Sequence, residues 1–230
     1  MLGSNQTIER PINGQSMKPI FKKITWWIFG LLCTIIGLYP LLYFTLDRNF
    51  GLLQSKTAEL LSSDLWNFAF YTHIILGGIA LLIGWTQFPK SFRDRNRKLH
   101  KRIGMGYVAT AFFSSLAGIY IGLYATGGLV SMLGFVILGV VWLITTMMGW
   151  FTAKKHRYDA HENWMIFSYA ACFAAVTLRI WLPLLIIMHQ GEFIPAYQIV
   201  AWLCWVPNMA VAFWMVGKRR FVQGIELSKV

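Results

Sequence analysis

Apolar residues run in long unbroken stretches along this chain, and polar residues gather between them. A helix needs about 20 apolar residues to cross the hydrocarbon core of a bilayer. Six stretches reach that length: 24–46, 65–88, 103–125, 129–153, 163–188 and 194–217. Each predicts a transmembrane helix. Between them lie a polar loop at 47–64, a basic turn at 89–102 and a second basic loop at 154–162. Thr126-Gly127-Gly128 predicts a tight hairpin between the third and fourth helices. Pro183 predicts a kink in the fifth. The expected fold class is therefore all-α: a polytopic membrane protein of six transmembrane helices, with helices 2–5 as a central four-helix bundle. Residues 1–22 read as a polar cytosolic tail, 23–217 as one membrane domain with its core at 65–188, and 218–230 as a basic cytosolic tail.

The charges orient these helices. Of 21 Lys and Arg residues, 18 lie before the first helix, in the two basic loops or after the sixth helix, while the other loops carry only Arg48 and Lys56. By the positive-inside rule both termini are expected in the cytosol, with the protein in the cell's plasma or inner membrane. The same placement explains the net charge of +12. Basic loops meet anionic inner-leaflet lipid, so the charge does not call for nucleic acid. Only 13% of residues are charged, about half the usual share of a soluble domain. Cys33, Cys172 and Cys204 lie inside apolar stretches, where thiols pack rather than pair. Trp66, Trp85, Trp150 and Trp164 near helix ends fit interfacial belts.

Every Asp and Glu falls in a tail, a loop or at a helix end. That argues against a buried carboxylate relay or an intramembrane aspartyl protease. Arg179 is the exception among charged residues, since it lies within the fifth helix. With no acid at its depth, its expected counterpart is a lipid phosphate, backbone carbonyls or an anionic group of a bound molecule; the plain alternative is snorkelling to the outer interface. His73 lies about 12 Å into the second helix from the outer side, at a depth comparable with Arg179.

Helical spacing groups further residues. His73, Gly77, Ala80, Gly84 and Gln87 share a face of the second helix. Close packing explains its small residues; a ligand or hydrogen-bonding role explains the His. His100, Gly104, Tyr107, Ala111, Ser114 and Gly118 share a face of the third, and His161, Met165, Ser168, Cys172, Ala175 and Arg179 a face of the fifth. Ile75-Leu76-Gly77 recurs as Ile137-Leu138-Gly139, offset by 62, and His100 and His161 are offset by 61. This reads as two copies of a helix–basic loop–helix unit, with a His just before the second helix of each. A pseudo-two-fold would then set His100 and His161 face to face, as iron ligands of a haem whose propionates meet Arg97, Lys98, Lys101 and Arg102. The plain alternative is two interfacial histidines, with Asp159 and Glu162 forming a capping box. A non-haem metal set of His100, His156, His161 and Glu162 is a further alternative, unsupported by HExxH or CxxC. The signatures of P-loop, GxSxG and dinucleotide-binding enzymes are absent.

The residues His73…Gly77, Arg97-Lys98-Leu99-His100-Lys101-Arg102-Ile103-Gly104, His161-Glu162-Asn163-Trp164-Met165 and Arg179 resemble a bacterial family of predicted multi-pass membrane proteins with no assigned function, over most of 65–190. More distantly, the layout is similar to six-helix di-haem cytochromes b that carry electrons from ascorbate. That resemblance implies His100 and His161 as ligands of an inner haem and His73 as a ligand of an outer one. The fourth helix departs from it: Phe135 stands opposite His73, and Met132 would substitute only by a shift in depth.

Two functions follow as expectations. One is a b-type haem protein passing electrons to a quinone or another redox partner, with His73, His100, His161, Arg179 and Arg102 around the cofactor. The other is a non-redox carrier, a lipid or small-molecule binding protein, or an assembly factor, with a polar cavity around His73 and Arg179.

Overall fold

A computed structural model describes residues 19–45 and 51–227. Up to residue 18, the expected amino-terminal tail lies outside the described residues. The described residues form helices and no strand. Six helical segments are long and apolar enough to cross a membrane: Lys23–Thr45, Asp64–Gln87, Arg97–Gly122, Leu129–Lys154, Tyr158–Met188 and Phe193–Arg219. They are called the first to sixth spans below. The second packs on the third, the third on the fourth and the fourth on the fifth, which gives the expected central bundle. The first span lies on the second, and the sixth covers the fourth and fifth. Large apolar side chains face outward, among them Phe68, 72% exposed, and Ile187, 75% exposed. In lipid this outward face needs no further cover.

Two spans begin earlier than apolarity alone predicts. The side chain of Asn96 accepts a hydrogen bond from the Leu99 amide at 3.1 Å, so the third helix starts at Arg97 and not at 103. The fifth starts at Tyr158, after a turn in which His156 takes a φ of 57°. His100 and His161 thus lie inside the first turns of their helices, not before them. The expected capping box does not form. The helix start at Arg157 has no side-chain cap, and Glu162 reaches outward to Arg219 at 2.7 Å and Arg93 at 3.5 Å. The basic tail is not a separate element either: the helix of the sixth span continues to Leu227.

Close backbone contact holds the core together. A Cβ on Gly78 would stand 2.6 Å from the Gly37 carbonyl oxygen, so the first and second spans touch backbone to backbone. Gly84 leaves room for the rings of Tyr169 and Tyr107. The Tyr169 hydroxyl donates to the Leu81 carbonyl at 2.9 Å. At mid-bundle, Tyr107 Oη and Ser168 Oγ are 2.8 Å apart, and Ser168 Oγ and Thr146 Oγ1 are 2.7 Å apart. These buried hydroxyls satisfy one another, as an apolar surrounding requires. The three cysteines are free and buried, consistent with packing.

The fifth span breaks at Phe173, ten residues before Pro183, which stays inside the helix Ala174–Met188. The sixth breaks at Cys204 and Trp205, between Phe193–Leu203 and Val206–Leu227. The two breaks are bridged. Asn208 Nδ2 donates to the carbonyls of Cys204 at 2.9 Å and Ala170 at 3.3 Å, and to Thr177 Oγ1 at 3.1 Å. Thr177 Oγ1 in turn donates to the Cys204 carbonyl. Broken helices survive in a bilayer when neighbouring side chains satisfy the freed backbone groups in this way.

Candidate functional site

Of the loop expected at 47–64, residues 47–50 lie outside the described residues, and the rest contains two helical turns, Gly51–Ser55 and Ala58–Ser62. Leu53 within it is buried. Ser55 Oγ and Thr126 Oγ1 are 2.9 Å apart, and Lys56 Nζ donates to Thr126 Oγ1 at 3.1 Å and to the Tyr124 carbonyl. The segment is thereby clasped to the hairpin of Gly127 and Gly128, whose positive φ of 92° and 72° suits glycine. Burial pushes the Lys56 ammonium down to about 8.

Beneath this clasp lies a cavity of about 200 Å³. Its polar lining includes His73, Arg179 and Lys56; the rest is mostly apolar, with Trp66 and Trp142 among it, and no Asp or Glu contributes among the described residues. The sequence depth count placed His73 and Arg179 at one level, and they share this chamber.

His73 is fixed by the third span. Its Nδ1 donates to the Ser114 carbonyl at 2.9 Å, while Ser114 Oγ donates to the His73 carbonyl at 2.9 Å. A carbonyl can only accept, so Nδ1 carries the proton and Nε2 is left as the ring's acceptor. Glycines make room for this contact: a Cβ on Gly118 would stand 2.8 Å from His73 Nδ1, and one on Gly77 would stand 3.0 Å from Ser114 Oγ.

Arg179 is held on two sides. Its Nη1 donates to the Ala175 carbonyl at 2.9 Å, and its guanidinium carbon lies 4.4 Å from the centre of the Tyr39 ring. A backbone carbonyl, one of the expected counterparts, thus meets the guanidinium, together with a π face. The guanidinium is not saturated, since its buried Nε has no acceptor among the described residues.

His100 and His161 lie at the opposite end, close enough to interact electrostatically with each other; Arg93 is also near His100. His161 Nδ1 donates to the Gly149 carbonyl at 2.8 Å, which leaves Nε2 as its acceptor. His100 Nδ1 is buried and has no partner among the described residues. Arg102 does not join them. It is exposed, and a residue two positions from His100 points to the other side of the helix. The metal set of His100, His156, His161 and Glu162 does not assemble either. No group of three or more metal-ligating side chains forms among the described residues, and His156 Nδ1 instead pairs with the Tyr158 hydroxyl at 2.9 Å.

A haem does not fit the outer cavity. An engineered cavity of about 150 Å³ takes one benzene, so 200 Å³ holds a molecule only a few atoms larger, far short of a tetrapyrrole. At the position the repeat pairs with His73, the fourth span carries Phe135, whose ring packs on Tyr197 with centres 5.1 Å apart.

His73 and Arg179 are legible in the sequence from their depth along the helices. Ser114 and Gly118 stood in a recognised stripe, without a hint that they would cradle the imidazole. Lys56 was visible as one of two cations on the sparsely charged side, and its clasp depends on residues near 126 that sequence spacing does not connect to it.

No curated protein and no solved structure matches the chain. A family model described as "Predicted membrane protein (DUF2306)" matches residues 70–216. That stretch covers both basic loops, His73, His100, His161 and Arg179. The chain belongs to this DUF2306 family of predicted membrane proteins.

Proposed function

We propose that this integral membrane protein binds a small molecule in the cavity beneath Ser55 and Lys56, as a non-redox carrier or binding protein. The observation that carries this reading is that His73 and Arg179, from different spans, line the same cavity with an otherwise mostly apolar wall. Ligand sites have this form: apolar surface with a few placed polar groups. The charge asymmetry of the loops supports an orientation with both termini cytosolic and the cavity in the outer half of the membrane. The test is native mass spectrometry of the purified full chain. A retained small molecule is expected. Leu178→Trp, which fills the cavity from its wall, and Arg179→Leu are both expected to lose it while keeping the wild-type helical spectrum. Retention of the same molecule in both variants refutes the reading.

A second reading rests on a separate observation at the other end. His161 Nδ1 is turned to the Gly149 carbonyl, a common arrangement for a metal-binding imidazole, and His100 is nearby. These two side chains would hold a b-type haem, which would supply one-electron chemistry toward a quinone. An absorbance spectrum of protein expressed with haem, before and after dithionite, decides it. A Soret band lost in both His100→Ala and His161→Ala supports it, and a flat spectrum removes it.

A further inference from the structure

We propose that the ligand of the outer cavity is a small apolar carboxylate of about the size of benzoate or hexanoate, held by the Nε edge of Arg179 with its hydrocarbon part against the apolar wall. This inference rests on the small-molecule reading above and adds the sign of the charge, the head group and the size.

The sign follows from the lining. Two cationic side chains, Arg179 and Lys56, face one chamber, and no acid contributes to it among the described residues. A buried charge is retained when something pairs with it. Among the described residues Arg179 meets one carbonyl and one aromatic face, and neither neutralises it. The head group follows from the guanidinium. With Nη1 committed to Ala175, the edge that contains Nε remains, and that buried nitrogen has no acceptor among the described residues. Such an edge matches a planar two-oxygen acceptor, for which arginine is better suited than lysine. The size follows from the volume. Against the benzene-sized reference of about 150 Å³, about 200 Å³ admits a six-carbon group plus a carboxylate and excludes a whole phospholipid. Trp66 and Trp142 in the wall give the site its own optical reporter.

A carboxylate of this kind can come from a free organic acid or from a fatty acid of the bilayer, and the experiment separates them. The full chain in detergent is titrated with benzoate, hexanoate, palmitate, inorganic phosphate and benzyl alcohol, following tryptophan fluorescence and equilibrium dialysis. Saturable binding of benzoate and hexanoate is expected, with phosphate not competing. Arg179→Gln is expected to weaken both by at least about tenfold and to leave benzyl alcohol unchanged, which shows the cavity intact. Lys56→Gln, on the clasp outside the spans, is expected to weaken the acids by a smaller factor and gives an answer even if the Arg179 variant does not fold. Equal binding of benzyl alcohol and benzoate, unaffected by either variant, overturns the carboxylate and leaves the small-molecule reading standing. Palmitate binding more than tenfold tighter than hexanoate overturns the size and makes the ligand a fatty acid. Failure of all five probes, together with a protein that retains no small molecule on purification, overturns both.

Discussion

His73 and Ser114 hold one another by a reciprocal pair of hydrogen bonds, imidazole to carbonyl and hydroxyl to carbonyl, each 2.9 Å long. The pair fixes the imidazole tautomer and joins the second and third spans at the level of the cavity. Ser114→Ala removes one bond and leaves the other. The expected loss of stability is roughly 0.5–1.5 kcal/mol, near the average of about 0.6 kcal/mol found for such pairs inside membranes. Thermal unfolding in detergent checks it. A loss above roughly 3 kcal/mol would mean that the hydroxyl does more than bridge two helices.

The contact between Gly37 and Gly78 is backbone to backbone. Gly78→Ala places a methyl group 2.6 Å from the Gly37 carbonyl oxygen, and backbone atoms cannot rotate away. The first span must lift off the second, at an expected cost of about 1–3 kcal/mol. Gly106→Ala is the control, because its nearest neighbour would be the flexible end of Ile83 at 3.5 Å. Equal melting temperatures for the two variants would contradict the contact.

Glu162 ties the start of the fifth span to Arg93 and to Arg219. Its side chain is 37% exposed, so solvent screens both pairs. Glu162→Gln should therefore cost less than about 1 kcal/mol. The double variant Glu162→Arg with Arg219→Glu should recover part of that loss at low salt and none at high salt. A salt-independent recovery would argue against an ionic contact.

Lys56 gives the fold a pH dependence with a definite sign. Burial holds its ammonium near 8 in the folded protein, against 10.5 in the unfolded chain. Between those values the unfolded chain binds the extra proton, so stability contributed by this group rises as pH rises from about 8 to 10.5. Lys56→Met removes the slope. Melting temperatures of the two proteins across that window should diverge in favour of the wild type with rising pH, and parallel curves would show that the clasp does not bury the amine.

Much of this fold could be read from the sequence, for a physical reason. A span must be apolar over about 20 residues whatever its neighbours are, so the six helices show in composition alone. Where a helix begins is a different matter. Arg97 to Arg102 looked like loop because it is charged, but a helix can continue beyond the bilayer once Asn96 caps it. Apolarity alone therefore places His100 and His161 before their helices, whereas both lie in the first turns. The break at Phe173 lies among residues as apolar as those of an unbroken helix, whereas the one at Cys204 has a sequence signal in Pro207, whose ring clashes with the carbonyl four residues back, at Leu203, the last residue of the preceding helix. Pro183, by contrast, stands inside the helix Ala174–Met188. Of the candidate site, depth alone joined His73 to Arg179, whereas the clasp of Lys56 and the tyrosine face over Arg179 depend on contacts made only in three dimensions.

The paired interruptions have a mechanical consequence. An intact helix distributes bending along its length, but the fifth and sixth spans each lose regular helix at one level, and Asn208 stitches those levels together. Compliance is thereby concentrated in a single seam across both spans. Beyond the seam, Ala174–Met188 and Phe193–Leu203 form a hairpin that carries Arg179 and Tyr197 into the cavity wall. Bending at the seam would move Arg179 and Tyr197 together relative to the rest of the chamber, with the amide of Asn208 and the hydroxyl of Thr177 as the side-chain ties across it.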